Sequence, residues 1–153
     1  MSQLNYNVNM DVAFEGMLAD SGKIDALSKI TEGASLEFGL GAALGTSDNQ
    51  VAPLAAIADN FAGVVIHRHR EEGELGDKVS VSVLRKGRIY VKVEENVDAG
   101  DAAFVRAVAV DPERAGAFRA SADGTDTIDL TGKAEFVTSA LAGELAVLDL
   151  NLP

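Results

Sequence analysis

The sequence predicts an all-β chain, a small antiparallel β-barrel or jelly-roll-like sandwich with one or two short helical turns. Three observations predict it. Apolar residues alternate with polar ones at a period of two in several segments, turn signals recur at close spacing, and no helical period is sustained beyond a couple of turns.

Val8, Met10, Val12 and Phe14 alternate with Asn7, Asn9, Asp11 and Ala13, as a strand with one buried face requires. Ile24, Leu27 and Ile30 recur by threes, which places a short helical turn in 22–30, and a second fits 51–59. Leu36, Phe38 and Leu40 return to the strand period. The runs Phe61-Ala62-Gly63-Val64-Val65-Ile66 and Ala102-Ala103-Phe104-Val105 read as strands buried on both faces, and Leu148, Leu150 and Leu152 end the chain on a further alternating strand. Between them lie Asp20-Ser21-Gly22, Lys86-Gly87, Ala99-Gly100-Asp101, Asp111-Pro112, Asp123-Gly124 and Thr131-Gly132, all short segments that favour turns.

A hairpin is expected over 79–93. A two-residue Lys86-Gly87 loop would set Arg85 against Arg88 and Val83 against Tyr90, opposing like charges and mixing faces. A three-residue Arg85-Lys86-Gly87 loop instead pairs Val83 with Ile89, Val81 with Val91 and Val79 with Val93, with Gly87 at the position needing positive φ. The echo Gly76-Asp77 and Gly100-Asp101, each just before a strand, reads as turn chemistry in which the aspartate accepts from backbone amides.

The chain has 153 residues, 47% of them hydrophobic and 24% charged, so residues 1–153 are expected to form a single ordered domain. With no cysteine, disulfides, thiolate metal sites and cysteine nucleophiles are excluded. No basic, apolar leader opens the chain and no apolar run approaches the roughly 18 residues of a membrane helix, so a soluble cytosolic product is expected.

The net charge of −11 opposes nucleic-acid binding, which needs clustered Lys and Arg. That charge is zoned: residues 1–67 carry −6, residues 68–92 carry +3 and residues 93–153 carry −8. The basic island, Arg68, Arg70, Arg85, Lys86, Arg88 and Lys92, is the candidate contact surface for an acidic partner.

Signals for chemistry are few. His67-Arg68-His69 followed by Glu74 resembles the first motif of cupins, which are metal-binding β-barrels, and a cupin-like enzyme using His67, His69 and Glu74 is the competing functional reading. The flanking glycines of that motif would fall at Phe61 and Val81, and no histidine follows His69 to complete the ligand set. No metal and no cofactor are therefore expected. Ser47-Asp48-Asn49 lacks the companion motifs of a β-lactamase, and Gly39 to Gly45 misses the dinucleotide fingerprint by one residue. The pairs Glu71-Glu72 and Glu94-Glu95 read as solvated charges.

One family is similar across much of the chain. The order Phe61-Ala62-Gly63-Val64-Val65, Leu75-Gly76-Asp77-Lys78-Val79-Ser80-Val81, Lys86-Gly87-Arg88-Ile89-Tyr90-Val91 and Val97-Asp98-Ala99-Gly100-Asp101-Ala102-Ala103-Phe104-Val105 resembles the cement (decoration) proteins of tailed-phage capsids. Gly116-Ala117-Phe118-Arg119 and Leu145-Ala146-Val147-Leu148-Asp149-Leu150 continue the likeness. The resemblance implies a non-enzymatic β-barrel, made in the host cytoplasm, that binds the major capsid protein on the outside of the virion. It also implies self-association as a homo-dimer or homo-trimer and no membrane or nucleic-acid partner. A receptor- or carbohydrate-binding module is the third possibility, disfavoured by an aromatic content of 5% without Trp.

Overall fold

The computed structural model describes residues 13–33, 36–68 and 75–153. Within them lie ten strands: β1 (Asp25–Thr31), β2 (Gly41–Leu44), β3 (Gln50–Pro53), β4 (Phe61–Val65), β5 (Ser80–Lys92), β6 (Phe104–Arg106), β7 (Phe118–Arg119), β8 (Thr127–Asp129), β9 (Ala134–Phe136) and β10 (Leu145–Asn151). The all-β, barrel-type expectation holds.

Five strands close a ring in the order β1-β3-β2-β4-β5, because β5 pairs back onto β1. The β1–β3 contact is parallel and the other four are antiparallel. A ring leaves fewer open ladder edges than a flat sheet of the same strands. From the second half of β5 the sheet runs on to β10 and β9, and a separate three-stranded sheet, β7-β6-β8, packs beside it.

The thirteen-residue β5 connects the two halves of the molecule. Val81 and Val83 point into the ring, among Phe38, Ala42, Val51, Ala62 and Val65. Leu84, next in sequence, points the other way, into a larger core with Val64, Ile89, Val91, Phe118, Phe136 and Leu148. Residues 84 and 89 cannot share a face of a regular strand, since alternation sends them to opposite sides. One extra residue resolves this: Asp25 pairs with Lys86 but Ala26 with Leu84, so Arg85 is left over in the ladder, and Gly87 beyond it has φ +134°.

The expected 79–93 hairpin is thus corrected to one continuous strand. Val83 lies opposite Leu27 and Val65, while Ile89 lies opposite Leu148 and Val91 opposite Ala146. Gly87 does have positive φ, but within a strand irregularity and not at a loop end. The physical reason is that a Lys-Gly step between two alternating runs suits a bulge as well as a turn. Here two different neighbours, β1 and β10, satisfy the halves that the hairpin would have paired with each other.

The helical turns are also corrected: no helix occurs among the described residues. The 22–30 segment contains β1, whose backbone is taken by β5, and Ile24, Leu27 and Ile30 are partly exposed and do not form a buried helical stripe. The 51–59 segment starts in β3 and ends in a turn where the Asp59 carboxylate accepts from the amides of Ala55 and Ala56 at 2.8 and 2.9 Å. Leu36, Phe38 and Leu40 are buried as expected but lie outside any strand, with only Leu36 bridging Leu75. The Val8 to Val12 alternation lies outside the described residues, and Phe14 is in no strand but opens a turn at Glu15-Gly16, its carbonyl accepting from the Met17 amide at 3.1 Å.

At Gly63 the ring depends on a missing side chain. Its φ is +139°, and a Cβ there would sit 2.2 Å from the Leu84 carbonyl oxygen and 2.8 Å from a Val83 methyl. Glycine lets β4 and β5 approach at the point where β5 changes cores.

Candidate functional site

The second half of β5 buries Ile89 and Val91, so alternation turns Lys86, Arg88, Tyr90 and Lys92 to the opposite face. Their cross-strand partners on β10 are Asn151, Asp149, Val147 and Leu145. Three of the six sequence-predicted contact residues therefore form one line on a rigid strand. Arg88 is held by two carboxylates, Asp20 at 3.3 Å and Asp149 at 3.6 Å. Both pairs are exposed and contribute little stability, but they fix the direction of the guanidinium.

The other three are placed differently. Arg85 is half-buried; its guanidinium donates to the Pro153 carbonyl, and its buried Nε has no hydrogen-bond partner among the described residues. Arg68 is exposed just beyond β4, and Arg70 lies outside the described residues.

The line of cations runs between two open clefts. The first, of about 610 Å³, is walled by Lys86, Arg88, Asp149 and Asn151 together with Asp20, Lys23, Lys133 and Glu135. Lys23 precedes β1 and Lys133 precedes β9, so only folding brings them beside Lys86. Among the described residues Lys23, Lys86 and Lys133 make no ion pair, so this cleft offers positive charge in a protein of net charge −11. The second cleft, about 630 Å³, lies at the Lys92 end and is lined by Phe14, Glu15, Glu37, Phe38, His67 and Glu144.

His67 is packed as an aromatic. Its ring stacks on Phe14 at 5.6 Å and meets the edge of Phe38 at 5.1 Å. His69 and Glu74, the other residues of the cupin-like motif, lie outside the described residues, as do Glu71 and Glu72. Among the described residues no three His, Asp or Glu side chains gather as a metal would need.

Glu94 and Glu95, expected from the sequence to be solvated, are instead tied into an ion-pair network. The Glu94 side chain is 4% exposed and receives a bidentate pair from Arg106, itself 1% exposed, with Nε at 2.6 Å and a terminal nitrogen at 3.0 Å. Arg106 also reaches Asp123 at 2.6 Å, and Arg119 bridges Glu94 and Glu95 at 3.3 and 3.1 Å. Hydrogen bonds to Glu94, and then to Asp123, hold the Arg106 pKa above its ordinary value despite burial. The same bond from Arg106 lowers Asp123. The only sequence signal for this network is an arginine inside an otherwise apolar strand, Phe104-Val105-Arg106-Ala107. Every charged group in it has a partner, so it ties the β6 sheet to the end of β5 and leaves no unpaired group for acid or base chemistry.

Three comparisons bear on what such a molecule is. In fold, the chain is similar to a chain of the capsid of Myoviridae phage XM1, with a TM-score of 0.74, 13% identity, and coverage of 97% of this chain and 98% of that one. The head fiber gp8.5 N base of bacteriophage phi29 is a more distant likeness, with a TM-score of 0.48, 12% identity, and coverage of 84% and 95%. No curated protein matches. The family described as structural cement protein (E217 gp24/Pam3 gp6) matches residues 2–151, nearly the whole sequence. The chain belongs to the structural cement protein family.

Proposed function

We propose that this cement protein attaches to the outside of a tailed-phage head, reinforces the shell by binding the major capsid protein, and works as a self-associated unit with no catalytic step. The observation that carries the reading is the family match across residues 2–151. The molecule's build supports it: a closed ring with a packed second core is a rigid body, and its polar clusters are internally paired ties between sheets.

The proposed shell-facing surface is the outward line of β5, Lys86, Arg88 and Lys92, extended by Lys23 and Lys133. An acidic partner surface attracts these cations while repelling the rest of a molecule of net charge −11, and repetition of the site over a symmetric shell makes weak contacts add. The test is co-sedimentation of purified chain with capsids that lack it. Saturable binding and a raised temperature of shell rupture are expected. A chain that remains in the supernatant at high concentration overturns the reading.

A further inference from the structure

We propose that the open edge of β1 joins two copies of this chain in an antiparallel, twofold-symmetric strand pair centred on Leu27. The proposal specifies the self-association above and rests on that part of the reading only, since attachment to a shell is tested separately by co-sedimentation.

β1 is paired with β5 from Asp25 to Ile30, whereas β3 reaches only Ile30 and Thr31 on the other side. Residues 25–29 therefore have one ladder edge without a strand among the described residues. The direction of that edge is fixed by two hydrogen bonds. The Ile30 amide donates to the Asn49 carbonyl at 2.8 Å, and the Thr31 amide donates to the Val79 carbonyl, beside β5, at 2.9 Å. By alternation Ala26 and Ser28, like Ile30, present their N–H and C=O groups away from β5. The edge is also apolar: Ile24, Leu27 and Ile30 are 41%, 38% and 36% exposed. An exposed apolar edge of this kind is a template for strand addition, and β1 carries no proline to block it.

The strand sequence selects a second copy as the occupant. Centring an antiparallel pair on Leu27 sets Ala26 against Ser28, two residues that both offer outward N–H and C=O, so each such pair exchanges two hydrogen bonds. It sets Asp25 against Lys29 at both ends, opposite charges directly across the ladder, and it brings the two Leu27 side chains together. Shifting the centre to Ala26 puts Lys23 against Lys29 and Asp25 against Leu27, and shifting it to Ser28 puts Lys29 against Leu27. Only the Leu27 register matches charge with charge and apolar with apolar. The added ladder ends at residue 29, where Gln50 of β3 takes the place beside Ile30, and Lys29, whose ammonium donates to the neutral Asp48 carbonyl, keeps its charge for Asp25 of the second copy.

Sedimentation equilibrium of the full chain over a concentration series, with hydrogen exchange of the same samples, tests this. A concentration-dependent dimer is expected, with the Ala26 and Ser28 amides slowing as it forms. Asp25→Lys opposes like charges twice and should weaken association roughly tenfold. The charge swap Asp25→Lys with Lys29→Asp should restore it, which a variant that merely misfolds would not do. Ser28→Pro removes an outward donor without touching the β5 ladder and should leave a folded monomer. A monomer at all concentrations overturns the proposal, as does a dimer indifferent to both Asp25→Lys and Ser28→Pro. So does slow exchange of Ala26 and Ser28 that persists on dilution, because another segment of the same chain would then occupy the edge.

Discussion

Arg106 and Glu94 form a two-point ion pair between β6, the middle strand of its sheet, and the second residue after β5, at 2.6 and 3.0 Å, with almost no solvent contact on either side chain. Burying two charges is costly, so the pair adds little net stability over an apolar equivalent, but it does not tolerate loss of one partner. Arg106→Ala leaves Glu94 buried beside Arg119 alone and should destabilise the fold by about 3–5 kcal/mol, read from the denaturant midpoint. The double change Arg106→Met with Glu94→Leu should cost clearly less than the single one.

Gly63 and Gly100 both have positive φ, at +139° and +96°, but differ in surroundings. At Gly100 an added Cβ meets nothing within 4 Å, so Gly100→Ala should cost only the backbone strain, about 1 kcal/mol. At Gly63 the Cβ would stand 2.2 Å from the Leu84 carbonyl oxygen, so β4 must move off β5. Gly63→Ala should therefore cost about 3 kcal/mol or more, from strain and overpacking together. Thermal unfolding of the two variants side by side checks the ordering.

The carboxylate of Asp129 accepts from the hydroxyl and amide of Thr131, at 2.5 and 2.8 Å, and its pKa is lowered, first by the hydroxyl bond. A carboxylate with a lowered folded pKa contributes stability above its unfolded value of about 3.9, and that contribution is lost as pH falls through the folded value. Thr131→Val should bring the Asp129 pKa back toward the ordinary carboxylate range and remove its share of the acid-side dependence. A carboxyl-resolved NMR titration of both proteins measures it. An unchanged Asp129 titration would show that the Thr131 hydroxyl does not set it.

If the β5 face meets the shell, attachment should weaken as salt shortens the screening length below about 10 Å. Lys23→Glu, Lys86→Glu and Lys133→Glu together should lower capsid occupancy by tenfold or more while circular dichroism stays that of the parent. All three side chains are exposed and without ion pairs among the described residues. Normal occupancy in the triple variant would move the contact elsewhere on the molecule.

The sequence alone determined the β class and most of the buried set. Alternation and apolar runs locate β4, β6 and β10, and the same alternation marks Leu36, Phe38 and Leu40 as interior, although the strand it implies does not form there. Period-two burial is a local property, visible along the chain, and the short Gly-Asp and Gly-x-Ile-x-Val segments were enough to point to the family. What a local pattern cannot carry is which element lies across the ladder. Val83 and Ile89 alternate in the same phase whether they face each other in a hairpin or face Val65 and Leu148 in one long strand. Ile24, Leu27 and Ile30 fit a helix by spacing until β5 claims their backbone. Glu94 meets Arg106 twelve residues away, and Lys23 meets Lys86 and Lys133 in one cleft, only because the ring closes and β5 changes cores at Arg85. Pairings between distant residues cost chain entropy and are decided by the packing of the whole molecule, so tertiary structure alone settled the register, the buried ion pair and the surface that the cations share.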